Sequence, residues 1–193
     1  MLGYECIIRR TMNDSNDSLW YFAYGSNLDP DRFRDRVGDW TEHQQAILPD
    51  HELRFSGEVS SEGGGGAIIQ GAPGEKVHGG IYRITVEQIA LMDERELGSE
   101  MDPNLRGARV TIIVEDPAST AGSGASEAGS AESSAGHAAG SVEAEVYVVP
   151  EPKVYRAPSG AYLGHITKGL RFFGYEDEVI AEVEVIAAQE PAD

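Results

Sequence analysis

Cysteine is almost missing from this chain: its 193 residues include one, Cys6. A lone thiol excludes an internal disulfide framework and any metal site built from several cysteines. Long apolar runs are missing as well. None approaches the roughly 20 residues needed to span a bilayer, and the first ten residues mix Glu5, Arg9 and Arg10 into a short apolar stretch, unlike a secretory signal. The expectation is a cytoplasmic protein with no membrane partner. Basic residues are scarce too, 15 Lys and Arg against 33 Asp and Glu, for a formal net charge of −18. Acidity spread over a folded body repels nucleic-acid phosphates and reverses the counterion-release gain, so no nucleic-acid partner is expected. It fits a salt-rich cytosol, where a screening length of about 3 Å near 1 M tolerates self-repulsion.

Phosphate-cradle signatures are lacking. The strand–glycine–helix loop at Gly25 has neither the second and third glycines of a dinucleotide fingerprint nor a Gly-Lys-Ser/Thr. His43, His51, His78, His137 and His165 are scattered without paired spacing, which predicts no metal. Nothing in the pattern speaks to oligomeric state.

What is present supports one folded unit. Hydrophobic residues make up 40% of the chain, and its length suits a single domain with a sizeable core. Residues 1–18 form a polar lead-in, with Met12 an alternative start, and the domain is expected over residues 19–188 with a short tail at 189–193. Inside it, residues 118–140 are almost all Ala, Gly, Ser and Glu. Such a composition buries too little apolar surface to offset its ordering entropy, so a disordered hairpin extension is expected there.

Leu19-Trp20-Tyr21-Phe22-Ala23-Tyr24 is a short aromatic run that predicts a buried strand. It stops at Gly25-Ser26-Asn27, after which Asp29-Pro30 supplies an N-cap and a proline at the first helical position, opening a helix through about Val37. Further strands are expected at residues 46–56 (interrupted by Pro49-Asp50), 67–70 and 77–84, with Ala72-Pro73-Gly74 a turn between the last two. Thr85-Val86-Glu87-Gln88 fits a capping box that starts a second helix running to Leu97, with Gly98 as its stop. Strands at 109–115 and 143–149 follow, then a last helix within 159–174 and a final strand at 179–187. Periodicity alone reaches a mixed α and β domain without a regular βαβ array.

Two places draw chemical interest. A glycine loop between a strand and a helix N-terminus turns backbone N–H groups and the positive helix end toward an anion or carbonyl oxygen. Gly25 permits positive φ and close approach, while Ser26 and Asn27 add side-chain hydrogen bonds. An ordinary capped turn explains the same residues. On the second helix, Ile89, Met92 and Glu96 fall at i, i+3 and i+7 and share one stripe, with Asp93 beside it. A carboxylate on an apolar face lacks structural benefit, and desolvation there strengthens it as a general base. The alternative is a helix-end glutamate that reaches water or pairs with Arg106 or Arg109.

Together, Tyr21-Phe22-Ala23-Tyr24-Gly25-Ser26-Asn27-Leu28, Gly79-Gly80-Ile81-Tyr82-Arg83-Ile84 and Leu91-Met92-Asp93-Glu94-Arg95-Glu96-Leu97-Gly98 resemble the γ-glutamylcyclotransferase superfamily, including its AIG2-like members. The first block matches the family's loop most specifically. The third resembles its L-D-x-x-E-G helix end, with Met92 in place of the leucine and Leu97 inserted before Gly98. Pro158-Ser159-Gly160-Ala161-Tyr162 looks like the family segment that brings a tyrosine to the pocket. No tyrosine follows within 99–106, where some members carry one.

The resemblance implies an α+β fold with a curved, barrel-like mixed sheet flanked by helices. It also implies a small-molecule γ-glutamyl substrate, cyclised to 5-oxoproline with release of an amino acid, peptide or amine, and no cofactor. Glu96 is then the catalytic base, and Tyr24, Gly25, Ser26, Asn27, Leu28 and Tyr162 form the substrate site. Preference for γ-glutamylamines, or binding without turnover, are the competing expectations, as is an adaptor using the 118–140 arm.

Overall fold

The computed structural model describes residues 18–56, 63–96, 108–117, 140–149 and 155–189. Its centre is a closed barrel of five strands in the order β1-β3-β2-β4-β5: β1 (Ser18–Ala23), β2 (Glu42–Ser56), β3 (Gly66–Thr85), β4 (Ala108–Glu115) and β5 (Ser141–Val148). Four α-helices accompany it among the described residues: α1 (Pro30–Val37), α2 (Val86–Glu96), α3 (Gly160–Phe172) and α4 (Asp177–Ala188). The expected mixed sheet with flanking helices is the fold observed.

Strand β3 carries the barrel. It pairs antiparallel with β1 from Ser18↔Thr85 to Ala23↔Gly80, and with β2 from Glu42↔Arg83 to Ser56↔Gly66. The expected turn at Ala72-Pro73-Gly74 does not divide it into two strands. The ladder steps from Pro49↔Lys76 to His51↔Gly71, so residues 72–75 bulge out opposite Asp50. Asp50 has φ 56° and Gly74 φ 86°, and the Gly74 amide donates to Asp50 Oδ1 at 2.9 Å. The bulge thus satisfies its own polar groups while pairing continues on both sides. Strands β4 and β5 form a hairpin joined to the rest by Ile47↔Glu115 on one side and by the parallel pair Tyr21↔Glu145 on the other. Of the 118–140 insert only Gly140 is described; the lead-in through residue 17, residues 97–107 (with Leu97, Gly98 and Arg106), and residues 190–193 also lie outside the described residues.

One expected element changes type. The final strand at 179–187 is helix α4. Glu182-Val183-Glu184-Val185 alternates as a strand does, but Ile180, Val183 and Ala187 fall on one helical face and are the residues that bury. Alanine and glutamate favour the helix, and packing against the barrel decides between the two periods.

Local caps explain the helices that position the site. Asp29 accepts the Asp31 amide at 3.0 Å as the N-cap of α1, with Pro30 following it. Its carboxylate, nearly fully buried, also meets His165 Nδ1 at 2.7 Å and Lys168 Nζ at 2.8 Å, both from α3. Burial would push the Asp29 carboxyl up, but hydrogen bonds from Lys168, His165 and the Asp31 amide outweigh it and hold it below the ordinary value. At α2 the capping box is reciprocal: the Thr85 amide donates to Gln88 Oε1 (3.0 Å) and the Gln88 amide to Thr85 Oγ1 (3.2 Å). Under α1 lies an aromatic stack in which Phe33 and Tyr82, both fully buried, face each other at 4.2 Å and 12°.

Candidate active site

Strand β1 ends on residues that turn inward and stay buried. After Tyr24, Gly25 leads into a single 3₁₀ turn, Ser26–Leu28, whose three residues are all buried. Gly25 has φ −109°, so the expected positive φ is not what this position needs. Space is the reason for glycine: a Cβ here would sit 3.0 Å from the Tyr162 hydroxyl and 3.2 Å from Ala67 Cβ.

The turn spends part of its donor set on itself. The Leu28 amide donates to Gly25 O at 2.9 Å and the Asp29 amide to Ser26 O at 3.3 Å. Ser26 lies beside the Tyr162 hydroxyl and lowers its phenol against the effect of burial, and that hydroxyl accepts the Ala67 amide at 3.0 Å. Among the described residues, these bonds do not use the amides of Gly25 and Asn27. Leu28 is fully buried and its carbonyl accepts from Tyr82 at 2.9 Å. Helix α3 touches this point with bare backbone, because a Cβ on Gly169 would lie 2.3–2.5 Å from Leu28 atoms.

The two tyrosines expected at the pocket both reach the loop. Tyr24 donates its hydroxyl to Tyr147 O at 2.7 Å. Burial raises the phenols of Tyr24 and Tyr162, and each is further raised by the charge of Glu96.

Glu96 ends α2, on the stripe that buries Ile89 and Met92. The apolar setting expected for it is not found. Its Oε1 lies 3.4 Å from Asn27 Nδ2 and 3.2 Å from Arg36 Nη1, with side-chain exposures of 29% for Glu96 and 22% for Arg36. Of the two arginines expected as alternatives, Arg109 pairs instead with Asp93 at 3.3 Å, and Arg106 lies outside the described residues. Asp93 also accepts from Tyr147 at 2.8 Å, so it fastens α2 to the β4–β5 hairpin.

Asn27 is the centre of this cluster. Its Oδ1 accepts from Arg36 Nη1 at 2.6 Å, and its Nδ2 donates to the Tyr21 hydroxyl at 2.8 Å. The amide orientation is forced by chemistry: a guanidinium can only donate, so it must meet the oxygen. Burial raises the Tyr21 phenol and Glu96 adds to that, so Tyr21 stays neutral. Burial lowers Arg36, an effect that Glu96 opposes and Arg32 reinforces.

Arg36 and Tyr21 are the site residues that motif spacing missed. A signal for Arg36 exists. It stands at i+3 from Phe33, beside the buried Phe33–Val37 stripe of α1, the same kind of position that singled out Glu96 on α2. Elsewhere, His43 stacks on Phe172 at 4.6 Å, His78 packs on Tyr175 at 5.3 Å, and His165 holds Asp29.

The sequence matches, over residues 21–164, the family model described as Gamma-glutamyl cyclotransferase, AIG2-like. No curated protein matches it. Among solved structures, an uncharacterized Homo sapiens protein superposes with TM-score 0.70 at 23% identity, covering 92% of this chain and 90% of that one. A structure titled Gamma-glutamyl cyclotransferase gives TM-score 0.69 at 24% identity, with 92% and 90% covered. A yeast cyclotransferase described as specific to glutathione gives 0.52 at 14% identity, with 89% and 96% covered. At these identities the structural likenesses establish the fold, and the family match establishes membership.

Proposed function

The chain belongs to the Gamma-glutamyl cyclotransferase, AIG2-like family, and on that premise we propose that it cyclises a γ-glutamyl group to 5-oxoproline and releases an amino acid or peptide. One observation supports this reading: the Glu96 carboxylate lies 3.4 Å from the Asn27 side-chain amide, so the proposed base touches the loop expected to bind the glutamyl group.

The reaction suits such a site. The substrate's α-amino nitrogen attacks its own γ-carbonyl carbon; a new C–N bond closes a five-membered ring and the original amide C–N bond breaks. Because the attack is intramolecular, the enzyme's first task is to hold a folded, near-attack conformer. Glu96 takes one proton from the ammonium to free the amine that attacks; that proton and the second one the ring nitrogen gives up as the lactam forms pass to the leaving nitrogen, which departs as its ammonium, so the enzyme ends as it began. The amides of Gly25 and Asn27 are the loop donors left for the substrate carboxylate or the developing oxyanion. Tyr24 and Tyr162, whose hydroxyls already have partners in the fold, act as walls. Leu28 supports the loop from the core.

A cationic leaving group, as in γ-glutamylamines, finds less support. Arg36 pairs with Glu96 at 3.2 Å and balances its charge, so the described cluster offers no excess negative charge to draw a cationic leaving group. The proposal is tested by incubating the protein with γ-glutamyl dipeptides, γ-glutamylcysteine among them, and with a γ-glutamylamine, and measuring 5-oxoproline. Product from the dipeptides in preference to the amine is expected; binding without product would make the chain a metabolite-binding module.

A further inference from the structure

A partly exposed general base has a problem that its identity does not solve. A glutamate has three side-chain torsions to explore. A base's oxygen must stay within hydrogen-bond reach of the proton it takes. Something outside α2 has to supply that condition.

We infer that Arg36 is a positioning residue for Glu96, acting directly and through Asn27. This rests on the reading of Glu96 as the base and assigns Arg36 a task within it. The geometry is a closed triangle of contacts from one nitrogen. Arg36 Nη1 is 3.2 Å from Glu96 Oε1 and 2.6 Å from Asn27 Oδ1, while Asn27 Nδ2 is 3.4 Å from the same Glu96 oxygen. Both donors converge on Oε1. Among the described residues these contacts fall on Oε1, and Oε2 is the oxygen with which Glu96 is taken to meet a proton.

Each corner is itself fixed. Asn27 is 7% exposed, and its Nδ2, besides facing Glu96, is tied to the Tyr21 hydroxyl at 2.8 Å. Arg36 rises from α1, whose start is clamped at Asp29 by His165 and Lys168 and whose Phe33 is locked in the aromatic stack. The carboxylate is therefore registered against the barrel by a chain of fixed groups. The shape of the guanidinium matters here: one of its nitrogens donates to both Glu96 and Asn27. Lysine, a single point charge on a flexible stem, does not reproduce that fork.

The test compares Arg36→Met, Arg36→Lys and wild type through kcat and KM for 5-oxoproline release, with thermal unfolding measured alongside. In Arg36→Met the kcat should fall on the order of 10- to 100-fold with KM changed much less, in a protein whose melting temperature stays near that of wild type. Arg36→Lys should leave most of the kcat loss, because a point charge does not reproduce the paired contacts to Glu96 and Asn27. A merely structural role would lower stability and kcat together, and an unchanged kcat in a folded Arg36→Met overturns the inference. A second readout needs no turnover: a ¹³C label on the Glu96 carboxyl should show greater side-chain mobility by NMR relaxation in Arg36→Met than in wild type. Equal mobility overturns the inference even if the variant is less active. Retained turnover in Glu96→Gln would instead sink the reading of Glu96 as base, so the two failures are separable.

Discussion

Arg36 Nη1 lies 3.2 Å from Glu96 Oε1, joining the last turn of α1 to the last described residue of α2 across 60 positions of sequence. Asn27 sits between them and bonds to both. The loop that best identifies the family and the carboxylate proposed as its base are therefore parts of one hydrogen-bonded cluster, which makes each open to test through the other.

Asn27→Ala removes the amide that accepts from Arg36 and donates to Tyr21. It leaves a partly buried guanidinium and a buried phenol short of a partner, which costs about 1–3 kcal/mol. Turnover should fall more steeply than stability, because Glu96 loses one of its two anchors. Thermal unfolding and 5-oxoproline release, measured on the same preparation, check both expectations.

The Asp29 cluster predicts an acid-dependent part of the stability. The Asp29 carboxyl is held below its ordinary value in the folded state, chiefly because Lys168, His165 and the Asp31 amide overcome the opposing effect of burial. A folded value below the unfolded one means that the unfolded chain binds the proton more tightly. The stabilisation is thus fully present above the unfolded carboxylate range and is lost as pH falls from about 4 through the lower folded value. Asp29→Asn keeps an N-cap side chain but not the charge. It should destabilise the protein by about 1.5–3 kcal/mol at neutral pH, with the difference from wild type shrinking below about pH 4 in urea titrations.

Gly169→Ala tests how closely α3 presses on the loop. A Cβ there would lie 2.3 Å from Leu28 Cβ and 2.4 Å from the Leu28 carbonyl carbon. Helix propensity alone would favour alanine, so the sign of the effect separates propensity from packing. Overpacking of about 1–3 kcal/mol should win, lowering the melting temperature by about 2–4 °C per kcal/mol.

These sites show what was legible in the sequence and what was not. Asp29-Pro30 and the Thr85–Gln88 box are local signals, made by residues that bond to their own neighbours, and both helix starts stand where they were expected. Helix α4 failed because Glu182 to Val185 satisfies period 2 while Ile180, Val183 and Ala187 satisfy period 3.6; the choice rests on contacts with the barrel. Pro73-Gly74 looks like the end of a strand, yet β2 pairs with β3 on both sides of it, a long-range fact. Glu96 stood out by its stripe, but its partner Arg36 comes from another helix, and no spacing within α2 announces it. The glycine at 25 was visible, while its reason, the Tyr162 hydroxyl 137 positions away, was not.

The net charge of −18 predicts a salt response. Self-repulsion over a Debye length of about 10 Å at 0.1 M shrinks to about 3 Å at 1 M, so the thermal midpoint should rise in molar KCl. Equal midpoints in low salt and molar KCl would remove the proposed salt adaptation.

The most direct test of the central claim is product analysis with γ-glutamylcysteine, comparing wild type with Glu96→Gln. The account predicts 5-oxoproline and free cysteine in equal amounts from wild type, and no product from a Glu96→Gln protein whose circular dichroism matches wild type. Turnover retained by the folded variant would contradict the assignment of Glu96 as the base, and absence of product from wild type across γ-glutamyl dipeptides and amines would contradict the proposed reaction itself.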